Sequence, residues 1–202
     1  FSATADKGSR LKDGTIADLT AIDICTMAVH LGATYVARAF SADRKQLLEV
    51  LKGAVAHPGL AVIDVMSPCV TFNNHQGSTR SYDWGRDHQG PVNEVGFVPA
   101  WDHPELETNP EESLEVEMPD GSAVLVRRVG EGHDPRNKEE ALALLRRSFG
   151  PEEFLTGLYY IDPEAPNLHD VLHLEEEPLG TLPADRVRPS ADVLEAINES
   201  YR

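Results

Sequence analysis

The sequence predicts an α/β fold, with a parallel sheet and flanking helices in its first part and an irregular α+β tail carrying a hairpin after it. Three observations predict this. Residues 34–40, TYVARAF, and 60–66, LAVIDVM, are short apolar runs rich in strand formers. Between them lies a stretch with helical periodicity, so the three form a βαβ unit whose strands run parallel and whose crossover is right-handed by strong precedent. Residues 113–129, SLEVEMPDGSAVLVRRV, alternate on both sides of Pro119-Asp120-Gly121-Ser122, which reads as a hairpin.

The elements follow in order. Residues 18–31 place Leu19, Ile22, Cys25, Met27, Ala28, Val29 and Leu31 in a wide apolar stripe, and Gly32 is suited to close that helix. Ser41 or Asp43 can cap a second helix, whose Leu47, Leu48, Leu51 and Val55 share one face. His57-Pro58-Gly59 ends it. The run at 60–66 is almost continuously apolar, the pattern of a strand covered on both faces. Residues 77–110 are rich in Gly, Pro, His and acidic groups, with few periodic stretches. Asn137 and Glu140 are spaced as a capping box, opening a helix that presents Ala141, Leu142, Leu145 and Phe149 on one side. Residues 156–162 read as a strand. From 163 to 202 the chain is acidic and proline-bearing, ends in a short amphipathic helix near 191–201, and suits wrapping over a partner or over the domain itself. No internal repeat is visible.

Composition narrows the function. The 202 residues are 41% hydrophobic, enough for one domain with a core or a compact domain with an appendage. A net charge of −16, from 34 acidic and 18 basic residues, repels phosphate backbones and argues against nucleic acid as a partner. No apolar run approaches the ~18 residues that a membrane span needs. Two cysteines make no disulfide framework, which points to a reducing, cytoplasmic compartment. The chain opens on Phe1 in a loop-like stretch, and a preceding segment is expected.

The chemistry concentrates at Ser67-Pro68-Cys69-Val70-Thr71-Phe72-Asn73-Asn74, just past the second strand. In open α/β sheets, ligands bind beyond the carboxyl ends of strands, so the position is right for a site. Unpaired cysteine often merely packs, yet Pro68 and the polar Thr71, Asn73 and Asn74 are unusual company for a core thiol. Taken alone, Cys69 could be a nucleophile with His75 six positions on as base. It could also be one ligand of a metal or cluster completed from elsewhere, since an iron–sulfur cluster takes about four thiolates and zinc several close ligands. Cys25 lies in a helical stripe and reads as core. His30, His57, His169 and His173 fall near element ends or in the acidic tail. The HDVLH spacing of His169 and His173 lacks the glutamate of HExxH, and both it and Glu175–Glu177 read as solvated faces. No Walker loop, GxSxG elbow or GxGxxG is present.

The stretch GATYVARAFSADRKQLLEVLKGAVAHPGLAVIDVMSPCVTFNN, followed by SYDWGRDH, resembles the β subunit of 2-oxoacid:ferredoxin oxidoreductases. The opening FSATADKGS is similar to the family's Ser-Pro-Thr-rich segment, with Ala3 where proline is common. The hairpin, the helix at 138–149 and TGLYY are similar to the C-terminal region of 2-oxoglutarate-type members. The resemblance implies that residues 1–88 are the later part of a thiamine-diphosphate-binding α/β domain and that 89–202 form a C-terminal extension with a hairpin and helices. It implies three cofactors: thiamine diphosphate, Mg2+ and a [4Fe–4S] cluster. The Gly-Asp-Gly segment and three cluster cysteines precede the part matched here. Cys69 then matches the fourth cluster ligand, Ser67, Thr71 and nearby backbone amides are candidate donors to the cluster sulfurs, and Ser2 and Thr4 border the thiamine pocket. The implied reaction is the reversible, coenzyme A-dependent oxidative decarboxylation of a 2-oxoacid, with an α subunit as partner and ferredoxin as electron acceptor.

Overall fold

A computed structural model describes residues 6–10, 14–102, 113–129, 132–147 and 154–202. The chain forms two compact units, Phe1–Ala165 and Pro166–Arg202. In the first, a four-stranded sheet has the order β2-β1-β7-β3, built from β1 (Tyr35–Phe40), β2 (Ala61–Met66), β3 (Gln89–Pro91) and β7 (Phe154–Ile161). A second sheet, ordered β4-β6-β5, comprises β4 (Asn93–Val98), β5 (Ser113–Glu117) and β6 (Ala123–Arg128). The expected α/β class and the β1–helix–β2 unit are both present, with β1 and β2 parallel from Tyr35 opposite Ala61 to Phe40 opposite Met66. The sheet as a whole is mixed, because β7 lies antiparallel beside β1 and parallel beside β3.

Every residue of β1 is buried, so its side chains alternate between two cores. On one face Val36 meets Cys25, Ala28 and Val29 of α1 (Ile24–His30) and Leu142, Leu144 and Leu145 of α4 (Lys138–Arg147). On the other, Tyr35 and Ala37 meet Val50 of α2 (Arg44–Ala56) together with Val116, Val124 and Val126 of the second sheet.

Two helix expectations need correction. The first helix begins at Ile24, not near residue 18, because the Asp23 carboxylate accepts from Cys25 N–H and fixes the N-terminus there. It closes as expected at Gly32, whose φ of 93° allows its N–H to reach Val29 O while Ala33 N–H reaches Ala28 O. The second helix is capped by Asp43, which accepts from Gln46 N–H. Its expected inner face is turned outward: Leu48, Leu51 and Val55 are 52%, 41% and 86% exposed, while Val50 and Gly53 face the core. Gly53 sits so close that a Cβ there would lie 2.9 Å from both Tyr35 Oη and Val124 Cγ2. The third helix, α4, buries Ala141, Leu142 and Leu145 as expected, together with Leu144, and Phe149 lies outside the described residues. Its N-terminus is a variant capping box, in which Asn137 Oδ1 accepts from Glu139 and Glu140 N–H while the Glu140 carboxylate accepts from Asp134 N–H.

Two strand expectations also change. β2 is partly exposed, since among the described residues only β1 pairs with it. The stretch 77–110, read as irregular, holds α3 (Tyr82–His88), β3 and β4. Buried Asn93, at the start of β4, donates from Nδ2 to Leu158 O and accepts at Oδ1 from Leu158 N–H, at 2.8 and 3.0 Å. One side chain thereby replaces a backbone pairing and ties the second sheet to β7. The hairpin turns at Gly121 as expected, with φ 82°.

The second unit contains α5 (Leu168–Val171), α6 (Ala184–Val187) and α7 (Ala191–Ser200), capped by Asn167 and Ser190 at its first and last helices. Arg186 pairs with Glu175 at 2.9 Å. All its residues except Leu182 are exposed. His173 lies beyond α5 with φ 51°, so His169 and His173 do not share a helical face.

Two histidines buried in the first unit give a pH prediction. Their rings sit against uncharged partners: His57 Nε2 lies 2.8 Å from Thr34 Oγ1, and His133 Nε2 donates to Tyr159 O at 2.7 Å. The Nδ1 atom of each is buried without a partner among the described residues. Burial lowers both pKa values below the ordinary 6.5, although Asp162 near His57, and Glu140 and Asp134 near His133, work the other way. The unfolded chain therefore takes up these protons first as pH falls through about 6.5, and stability present above that pH is lost below it. Chemical denaturation midpoints should drop between about pH 7.5 and about pH 5.5, and the drop should shrink in His57→Gln/His133→Gln. Equal midpoints for the parent protein would contradict this.

Candidate functional site

The candidate site is the loop that leaves β2. Pro68 is buried and anchors it, while Ser67, Cys69, Val70, Thr71 and Phe72 are exposed. The chain then folds back on one atom: Cys69 O accepts from the N–H groups of Phe72, Asn73 and Asn74 at 3.2, 2.8 and 3.0 Å. Asn74 Oδ1 accepts from Tyr82 N–H at 3.1 Å, which ties the loop to α3. Ser81 caps α3 by accepting from Trp84 N–H and donates its own hydroxyl to Ser78 O. Asp6 binds Arg80 at 2.9 Å and also Thr79, so Asp6 is tied to this region.

Within α3, Trp84 stacks on His88 at 4.3 Å, and it also stacks on Phe154 of β7 at 5.7 Å. Gly85 allows α3 this approach, since a Cβ there would lie 2.6 Å from Phe40 Cζ. The SYDWGRDH segment is thus packed against β1 and β7 and tied to the Cys69 loop through Asn74. A cavity of about 480 Å³ opens beside it, lined by Asn74, His75, Ser78, Ser81, Asp83 and Trp84 among others.

The two cysteines have opposite surroundings. Cys69 is a free, exposed thiol. Cys25 is fully buried, donates to Ala37 O at 3.6 Å, and burial pushes its thiol up to about 12. Cys25, Asp23 and Asp64 bring potential metal-ligand atoms within 4.8 Å of one another. Arg38 already occupies that position: its guanidinium is paired with Asp23, and its Nε donates to Asp64 Oδ2 at 2.9 Å. Burial opposes the Arg38 charge, but Cys25, Tyr159 and the two aspartates hold it protonated above its ordinary range. The group is therefore an ion-pair cluster across β1, β2 and the start of α1, which sequence spacing did not reveal.

Of the other candidates, Ser67 and Thr71 are exposed beside Cys69 along the chain. Ser2 and Thr4 lie outside the described residues. His75 is exposed, with Nδ1 3.1 Å from Gln76 O, and among the described residues no hydrogen bond joins it to Cys69. The N–H groups of Phe72, Asn73 and Asn74 are directed at the Cys69 carbonyl.

A four-thiolate cluster demands more than this chain offers. With Cys25 sealed in the core, the donor set fits one corner of such a cluster, supplied by Cys69, and no more. The fold and site thus define an α/β chain that presents a single accessible thiol at the end of a parallel strand.

No protein-family model matches the chain. Curated relatives do. The chain is 42% identical over 74 residues to 2-oxoacid:ferredoxin oxidoreductase 1, subunit beta, of Aeropyrum pernix, a match covering 36% of this chain and 23% of that protein. It is 37% identical over 81 residues to the corresponding subunit of Saccharolobus solfataricus, covering 40% and 24% respectively. The KorB subunit of Methanocaldococcus jannaschii 2-oxoglutarate synthase is 43% identical over 51 residues, covering 25% and 19%. Among solved structures, 2-oxoglutarate:ferredoxin oxidoreductase from Magnetococcus marinus, with 2-oxoglutarate, coenzyme A and succinyl-CoA bound, superposes with a TM-score of 0.63 at 24% identity. That match covers 98% of this chain and 52% of the other. The chain is therefore similar in sequence to part of the β subunit of 2-oxoacid:ferredoxin oxidoreductases, and it shares a fold with that structure.

Proposed function

We propose that this chain is the later part of a 2-oxoacid:ferredoxin oxidoreductase β subunit of the 2-oxoglutarate type, and that its Cys69 thiolate completes a [4Fe–4S] cluster anchored mainly by the earlier part. The observation that carries the reading is the exposed thiol of Cys69 at the end of β2, on a loop held by buried Pro68 and by three hydrogen bonds to the Cys69 carbonyl. The sequence relatives support the family, and the KorB relative supports 2-oxoglutarate as substrate.

In this reading, residues 1–88 belong to the thiamine-diphosphate-binding domain and 89–202 to its extension. The complex includes an α subunit and works in the cytoplasm. The 2-oxoacid loses carbon dioxide, its acyl group passes to the thiol of coenzyme A, and two electrons leave one at a time for ferredoxin. Thiamine diphosphate with Mg2+ supplies the electron sink for decarboxylation, and the cluster supplies the one-electron path. What this chain contributes is the Cys69 ligand position, on a loop tied to α3 by the Tyr82–Asn74 hydrogen bond.

A second reading, a non-catalytic interaction subunit, is favoured by Pro166–Arg202, where Val193, Leu194 and Ile197 of α7 are each nearly half exposed.

Co-expression with the upstream segment and the α subunit separates the two. The assembled, iron-loaded complex should reduce ferredoxin only when a 2-oxoacid and coenzyme A are both supplied, with 2-oxoglutarate preferred. An assembled complex that reduces ferredoxin with no 2-oxoacid tried would reject the enzymatic reading.

A further inference from the structure

We infer that the exposed face of α2 is the docking surface for an acidic redox protein, the ferredoxin of the proposed reaction. The inference rests on the oxidoreductase reading and adds to it the place where the electron acceptor lands.

Three observations carry it. First, the exposed residues of α2 are Arg44, Lys45, Leu48, Leu51, Lys52 and Val55, which share one side of the helix, and none of them is acidic. Leu48, Leu51 and Val55 form an apolar stripe, Lys45 and Lys52 line one flank, and Arg44 continues the stripe at its start. An apolar centre with a charged rim is the make-up of a protein interface. Lys52 pairs with Glu49 at 2.8 Å, but that carboxylate is only 20% exposed and also accepts from Phe97 N–H, so it is turned toward β4. Arg44 and Lys45 make no ion pair among the described residues. Second, these two cations stand in the first turn of α2, where the helix dipole disfavours positive charge and only the cap, Asp43, is acidic. Their placement costs helix stability, which suits a role outside the helix. Third, the chain carries a net charge of −16, so it repels an acidic protein over most of its surface and leaves a basic face as the place of approach.

The face is also at the right end of the fold. β1 and β2 run parallel, and Ser41 N–H, just before α2, donates to Met66 O at 3.0 Å. The start of α2 and the Cys69 loop therefore leave the same edge of the sheet. Electron-transfer encounters are transient and use small patches, below ~1,200 Å², so one helix face is of a fitting size. Complementary charge speeds and orients such an encounter, and the apolar stripe completes the contact. The occupant is thereby specified by its chemistry: a small protein of net negative charge with apolar groups among its carboxylates.

The test uses the complete α and β subunits, with a ferredoxin of net negative charge as the probe. Calorimetry at low and high salt measures binding without turnover, and ferredoxin KM and kcat are read alongside reduction of a small dye. Arg44→Glu/Lys45→Glu should weaken binding at least about tenfold at low salt, flatten its salt dependence and raise KM with kcat held. Val55→Ser should weaken binding and leave the salt dependence as it is. Dye reduction and α–β assembly should stay at the parent values, with the denaturation midpoint at or above its parent value. If the charge-reversed variant does not fold, Arg44→Gln/Lys45→Gln should move affinity the same way by a smaller factor. Unchanged affinity would overturn the inference. Loss of α–β assembly at an undiminished midpoint would give the face to the α subunit, and self-association abolished by the same change would give it to a second copy; either overturns the inference too. A complex that reduces neither ferredoxin nor dye with any 2-oxoacid would instead remove the oxidoreductase reading, while the calorimetry still decides the docking face.

Discussion

Replacing Asp23 with alanine should destabilise the folded protein by ~3–5 kcal/mol, the usual cost of stranding one partner of a buried ion pair. Arg38 lies in the fully buried strand β1, with its side chain 6% exposed and its guanidinium between Asp23 and Asp64. The Tyr159 ring lies 5.7 Å from the guanidinium carbon, and Cys25 packs alongside. Without Asp23 the cation keeps only Asp64, which is itself 31% exposed and more screened. Asp23 also caps α1 through Cys25 N–H, so part of the loss, about 1 kcal/mol, belongs to the cap. Chemical denaturation of the parent, Asp23→Ala, Arg38→Met and the double variant separates the two. In the Arg38→Met background, Asp23→Ala should cost only the cap. An Asp23→Ala loss below ~1 kcal/mol in the parent would show that Arg38 does not depend on this pair.

Cys69→Ala should have the opposite profile: near-complete loss of function with almost no effect on folding. The thiol is exposed, and the hydrogen bonds that shape its loop are made by its carbonyl, which alanine retains. Surface changes of this kind usually stay within about 0.5 kcal/mol. On the proposed reading, however, the complete complex loses the one cluster ligand that this chain supplies. Iron per β subunit should fall and ferredoxin reduction should be abolished, while the denaturation midpoint stays at the parent value. Serine is a weaker control, because its oxygen can partly substitute as a ligand. An unchanged iron count would refute the assignment.

The backbone of this account was legible in the residues, and the reasons for the misses are local. Tyr35–Phe40, Arg44–Ala56 and Ala61–Met66 emerged from apolar runs and periodicity because each element is long enough to show its period. The inner face of α2 was misread because that helix carries two apolar stripes, and periodicity does not say which one meets the sheet. Only the approach permitted by Gly53 decides it, and that is a property of Tyr35 and Val124 across the core. β3 and β4 were hidden by glycine, proline and charge, although Val95 and Phe97 do alternate with Glu94 and Gly96. The contribution of Asn93 is a tertiary one, since a polar residue gives no local sign that it will bond to Leu158 some sixty residues later.

The site divides in the same way. Cys69 stood out because a thiol between proline and polar residues at a strand end is chemically conspicuous. The Arg38 cluster did not, because its members lie on α1, β1 and β2 and meet only in the fold. The turn geometry was equally invisible: it directs the N–H groups of Phe72, Asn73 and Asn74 to the Cys69 carbonyl.

Anomalous diffraction at the iron edge, from crystals of the assembled α and β subunits, examines the ligand assignment without relying on turnover. The account predicts an iron peak within bonding distance of the Cys69 sulfur. A fully occupied cluster with all its thiolates drawn from other residues, and Cys69 well away from any iron, would contradict it.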